Sequence, residues 1–154
     1  RLKKVIDLAN KEGHLDQDYI IIDCNPAIGT LEFNALMVSD YVVVPVEADK
    51  DSYDGIGNML KVIEEFKEDN PKLSFLGVLL TRIDKRNNFG EKFMEDYKDI
   101  NENKVFETFI NDNKAAVRRA RLNCQPVYEY DKSSKAAKKY LDFTAEVLNK
   151  IKED

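Results

Sequence analysis

Hydrophobic positions along the chain alternate between two periods. Arg1 to Glu12 carries Leu2, Val5, Ile6 and Ala9 at helical spacing, and Gly13 is a natural stop. Tyr19 to Ile22 is an unbroken apolar run, the pattern of a strand buried on both faces. It ends at Asp23; Asn25, Pro26 and Gly29 then force a turn, and Thr30 is placed to cap a helix over Leu31–Val38. Tyr41–Val46 reads as a second buried strand, ending in the polar Glu47-Ala48-Asp49. Asp51 or Ser52 can cap the next helix, which carries Ile56, Met59, Leu60, Ile63 and Phe66 on one face and stops before Asn70-Pro71.

The second half continues the alternation. Ser74–Leu80 is a third strand, ending in Thr81-Arg82-Ile83-Asp84, and polar residues 85–88 lead into a helix with Phe89, Phe93 and Tyr97 on one side. Val105–Ile110 is a fourth strand, Val117–Leu122 a short helix and Val127–Tyr130 a short extended segment. Lys132–Ile151 closes the chain as a helix with Ala136, Tyr140, Phe143, Val147, Leu148 and Ile151 inward. Strands alternating with helices predict an α/β fold with a mostly parallel sheet, helices on both faces and right-handed crossovers, built as one domain over 1–154. Such sheets bind ligands beyond the carboxyl ends of their strands. Asp23 stands at such an end, where its spacing suits a turn-capping carboxylate as well as a ligand-binding one.

Composition narrows the class. The chain has 154 residues, 43% of them hydrophobic and 34% charged, enough for a packed core and unlike a disordered chain. A formal net charge of -5 argues against a wholly basic nucleic-acid binder and leaves room for local basic patches. Cys24 and Cys124 lack metal-ligand spacing and read as reduced thiols of a cytoplasmic protein. His14, the only histidine, falls in a surface turn. No apolar run approaches the ~18 residues of a membrane span. Position 1 is not Met and nothing caps the first helix, so the chain reads as starting inside a helix with an N-terminal part missing.

Three stretches together resemble the ParA/MinD family of P-loop ATPases. Asp18 to Thr30 is similar to the family's Walker B and switch II segment, D-Y-I-I-I-D-x-P-P-x-x-G; Asp23, Pro26 and Gly29 match, and Asn25 replaces the first proline. Asn34-Ala35-Leu36, Ser39-Asp40-Tyr41 and Val42-Val43-Val44-Pro45-Val46 resemble the family's N-A-L-x-x-(A/S)-D-x-V-(I/V)-x-P-V. Pro126-Val127, Tyr130-Asp131 and Ser133-Ser134-Lys135-Ala136-Ala137 resemble its P-V-x-x-Y-D-x-x-S-K-(A/G)-A. The C-terminal helix ends acidic, without the membrane-targeting apolar tail of MinD-like relatives, which favours the ParA partition branch and no membrane.

The resemblance implies a P-loop NTPase-like fold that is incomplete at its N-terminus. It implies ATP and Mg²⁺ as cofactors of the intact protein, with Asp23 holding Mg²⁺ through a water and the turn with Pro26 and Gly29 sensing the γ-phosphate. Thr81 and Arg82 would lie near the adenine, and Asn111 and Asp112 would stand in the base-side loop, where relatives carry Pro and Arg. The phosphate-wrapping G-x-x-x-x-G-K-(S/T) does not occur in this sequence. This chain alone is therefore expected to be inactive, and no residue of it is assigned as catalytic.

Basic residues supply the remaining expectation. Lys114, Arg118 and Arg121 share a helical face, with Arg119 beside them; Lys135 belongs to a second cluster and Arg82, Lys85 and Arg86 form a third. Each suits a solvated face, and the resemblance implies sequence-independent DNA binding through Lys114, Arg118, Arg119, Arg121 and Lys135. It further implies a dimer, nucleoid association, a ParB-like centromere-binding partner, and plasmid or chromosome partition. The alternative is a P-loop-less binding or dimerisation module of the same fold. A metabolic or kinase-like P-loop enzyme fits the Tyr130–Ala137 match less well.

Overall fold

The computed structural model describes residues 1–25, 29–47, 50–83 and 104–153, with the backbone only for 50–55. The elements run α1 (Leu2–Lys11), α2 (Thr30–Leu36), β1 (Tyr41–Glu47), α3 (Lys50–Asp69), β2 (Ser74–Thr81), α4 (Lys114–Leu122), α5 (Val127–Tyr130) and α6 (Lys135–Glu153). Strands joined through helices make this an α/β fold with a parallel sheet. Pro26, Ala48, Asp49 and the helix expected around Phe89, Phe93 and Tyr97 lie outside the described residues, as do the side chains of Asp51 and Ser52. Two compact units are resolved, one of 1–42 with 60–74, the other of 43–59 with the chain from Phe75 onward.

In the first unit, α1 ends as its sequence predicts. Gly13 adopts φ +72°; its N–H donates to the Asn10 carbonyl and that of His14 to Ala9, the paired bonds of a Schellman stop. The end of α2 is tied down by Asn70, whose side-chain amide donates to the Leu36 and Ser39 carbonyls, both at 2.8 Å. Phe33 of α2 meets Phe66 of α3 edge-on at 5.1 Å, and Ala35, Ile63 and Leu73 are buried.

Two expectations change here. Tyr19–Ile22 is not a buried strand: Ile21 is 94% exposed, and among the described residues no strand pairs with it. An apolar run becomes a core strand only when neighbours satisfy its backbone and cover its faces. The cap of α2 is Gly29 rather than Thr30, which is the first helical residue; a glutamate at the third helical position, Glu32, takes up the Gly29 N–H.

The second unit is built on β2, where Leu76 to Leu80 are all buried, as a central parallel strand requires. β1 lies on one side. On the other, Val105–Ile110 pairs parallel to β2 through the bridges Val78↔Val105 and Ile83↔Asn111, so the expected fourth strand is present as an interrupted ladder. The interruption falls at Glu107-Thr108, whose two N–H groups donate to the Glu146 carboxylate of α6 at 2.7 and 2.9 Å. Phe106 is fully buried and meets Phe143 of α6 edge-on at 5.0 Å. Gly77 explains how the strands approach so closely: a Cβ there would stand 3.1 Å from the Lys104 carbonyl oxygen, and its φ of +146° disfavours any other residue.

Helices α4 to α6 correct three further expectations. Val127–Tyr130 forms the helical turn α5, because Pro126 in extended conformation precedes it and supplies the carbonyl that accepts from the Glu129 and Tyr130 N–H groups. α6 begins at Lys135, since Asp131 organises the residues before it into a capping turn. Tyr140 is 41% exposed rather than inward, and Ala136 and Ala137 carry the buried contact at that end of α6.

Candidate functional site

Three groups of residues bear on function. The first follows Ile22 in the first unit. Asp23 is exposed, and its carboxylate makes no hydrogen bond or ion pair among the described residues. Glu32 is its structural counterpart. Its carboxylate is held below the usual value by its own backbone N–H first, then by the Gly29 and Asn25 N–H groups and the Asn25 side chain, against the opposing pull of burial. Asn25, where the resembled family has a proline, thus binds Glu32 of α2. Partial burial, then the charges of Glu32 and Asp23, push the Cys24 thiol up, so it is a poor nucleophile at neutral pH. Among the described residues no cluster of three or more His, Cys, Asp or Glu forms a metal cage. A lone unengaged carboxylate suits a cation held chiefly by a ligand's own oxygens and touched through water.

The second group stands at the carboxyl ends of the paired strands in the second unit, as predicted for Thr81, Arg82, Asn111 and Asp112. The structure brings them together but already engages them. Thr81 Oγ1 donates to the Val46 carbonyl at 3.1 Å, and the Asn111 amide donates to Ile83 O at 3.5 Å. Arg82, in left-handed conformation at φ +56°, donates to Glu47 Oε1 at 2.6 Å. That bond, Glu47's charge and the Asp112 charge beyond it raise the guanidinium pKa. Asp112 pairs with Lys114 at 3.0 Å. Glu47 escaped the sequence reading as a member of this cluster; the signal was its place at the end of β1, level with Arg82 at the end of β2.

The third group is the basic face. Lys114, Arg118, Arg119 and Arg121 all sit exposed on α4, and Lys135 is exposed at the start of α6. Arg118, Arg121 and Lys135 form no ion pair among the described residues, whereas Arg119 faces Asp131 electrostatically. Asp131 is itself occupied. Its Oδ1 accepts from Ser133 Oγ at 2.7 Å and from the Ser133 and Ser134 N–H groups at 3.1 Å, and Ser134 Oγ caps α6 by accepting from the Ala137 N–H. The Tyr130–Ala137 motif is therefore an architectural turn that sets the start of α6.

An AAA domain family model matches residues 2–75. The sporulation initiation inhibitor protein Soj of Bacillus subtilis is 37% identical over 148 residues, 96% of this chain and 56% of its own length. The chromosome partitioning protein ParA of Myxococcus xanthus is 31% identical, covering 88% of this chain and 48% of its own. A crystal structure of cobyrinic acid a,c-diamide synthase from Mycobacterium smegmatis superposes with a TM-score of 0.69 at 28% identity, over 92% of this chain and 51% of that one. A second structure of that protein, with bound ADP and magnesium, gives a TM-score of 0.59 at 28% identity, over 77% of this chain and 54% of that one. The chain spans about half the length of the curated relatives it matches.

Proposed function

We propose that the chain, similar to Soj and ParA over most of its length, belongs to the ParA/MinD family of P-loop ATPases and is part of a ParA-type partition ATPase. The whole protein binds ATP and Mg²⁺, dimerises, holds DNA without sequence preference in the cytoplasm, and lets go after hydrolysis stimulated by a ParB-like partner. The cargo is a chromosome or a plasmid. The observation that carries this reading is the 37% identity to Soj across 96% of the chain.

Within it, Asp23 would hold Mg²⁺ through a water, a role that its exposed carboxylate, unengaged among the described residues, suits. Mg²⁺ held there would supply charge compensation for the transferring phosphoryl group. The Gly29–Glu32 contact fixes the start of α2. The Arg82–Glu47 and Asp112–Lys114 pairs fix the strand-end loops that would flank the base. Lys114, Arg118, Arg119, Arg121 and Lys135 contact phosphates as point charges, so affinity falls steeply with salt. A phosphate-binding loop is not among these residues, so the 154-residue chain alone neither binds nor hydrolyses ATP appreciably.

A second reading, a non-catalytic binding or dimerisation module, draws on the engagement of Thr81 and Arg82 with the protein itself. Turnover separates the two. The whole protein hydrolyses ATP and Asp23→Ala abolishes it under the first reading; no nucleotide binding by the whole protein favours the second. Reversing Arg118, Arg119 and Arg121 to Glu removes DNA retention at low salt; unchanged retention rules out this face.

A further inference from the structure

Helices α4, α5 and α6 enclose a groove of about 800 Å³ that the proposed ATPase cycle does not use. Val117 and Ala120 of α4, Val127 and Tyr128 of α5, and Tyr140 and Leu141 of α6 line it. Ala120 is buried, but Leu141 is 56% exposed and Val117 43%. Such a contiguous apolar surface costs solubility unless something covers it. Arg121 lines the groove as well, Arg118 stands one turn before it on α4, and Lys138 stands one turn before Leu141 on α6. None of these three cations has an ion-pair partner among the described residues. Of the carboxylates near them in sequence, Asp112 pairs with Lys114, Asp131 is held by Ser133 and Ser134, Asp142 pairs with Lys139, and Glu129 stands on α5.

We propose that this groove docks an acidic amphipathic helix of a partner protein. Its walls are helix faces with no unpaired strand edge, so a helix fits where an added strand does not. Apolar side chains at i, i+3, i+4 and i+7 of the incoming helix meet Val117, Val127, Tyr140 and Leu141. Asp or Glu on its flanks meets Arg118, Arg121 and Lys138. The same charge disfavours a second copy, because a two-fold contact would set one basic rim against the other. Nucleic acid has no use for the apolar floor. An acidic helix seated here shares Arg118 and Arg121 with the proposed DNA-contacting face, so it competes with DNA.

The test uses the whole protein and a labelled synthetic helix of about 18 residues, five turns, with leucines at that spacing and glutamate flanks. Its twin carries lysine in place of every glutamate. The acidic peptide is expected to bind at least ~10-fold tighter than the twin and to weaken as salt screens the rim. Leu141→Glu, at an exposed position, is expected to reduce binding by about 10-fold or more, and Arg121→Glu by several-fold, with circular dichroism unchanged. Equal affinity for both peptides, or indifference to both variants, overturns the proposal. So does self-association in sedimentation that Leu141→Glu abolishes, which would assign the groove to a second copy.

Discussion

Gly77 and Cys124 show opposite uses of unusual backbone. Gly77 sits at φ +146° with the Lys104 carbonyl and the Phe106 ring against the place a side chain would take. Gly77→Ala is expected to cost about 2 kcal/mol, read as a lower urea midpoint with unchanged m. Cys124, at φ +51°, occupies the left-handed position of a second Schellman stop, its N–H donating to the Arg121 carbonyl and that of Gln125 to Ala120. Glycine relieves that strain, so Cys124→Gly is expected to raise stability by about 0.5–1 kcal/mol in the same assay. Asp131 and Glu32 both have folded pKa values below their ordinary 3.8 and 4.5. For Asp131 the Ser133 hydroxyl is the main cause, followed among favourable contacts by the Ser133 and Ser134 N–H groups and Arg119. A depressed carboxylate contributes stability that is present above its unfolded value and lost as pH falls through its folded one. Thermal stability is therefore expected to decline as pH drops below those ordinary values, and Asp131→Asn is expected to flatten that decline.

At the scale of elements, α6 holds the irregular edge of the sheet. Glu146 accepts both N–H groups that the break at Glu107-Thr108 leaves without a strand partner, while Phe143 meets buried Phe106 edge-on and Lys150 lies over the same ring at 5.3 Å. Thr108 is buried, so Glu146→Ala strands a donor and is expected to cost about 2 kcal/mol by chemical denaturation, with Glu146→Gln costing less because one acceptor remains. The elements legible in the sequence were those with one dominant local signal. Gly13 stops α1, Asn70-Pro71 closes α3, and the Ser74–Leu80 run announces a strand. The errors came where partners decide. Tyr19–Ile22 has strand composition and no strand beside it among the described residues, and Tyr140 fits the helical stripe of α6 yet faces an open groove. Val127–Tyr130 is too short for periodicity to separate a helical turn from an extended piece.

For the molecule, the legible part of the candidate site was its location. Strand-end residues Thr81, Arg82, Asn111 and Asp112 are gathered in one unit, and Asp23 stands exposed in the other. Their internal engagement was not legible, because Glu47 and Lys114 are partners only in the folded chain. The Tyr130–Ala137 motif belongs to one of the three stretches that carry the resemblance, and its side chains build the start of α6. The measurement that tests the account most directly is Mg²⁺-dependent ATP hydrolysis by the whole protein, with Asp23→Ala and the isolated 154-residue chain alongside. The account predicts turnover by the whole protein and none above background from Asp23→Ala or from the isolated chain. Turnover that survives Asp23→Ala, or its absence from the whole protein, would contradict it.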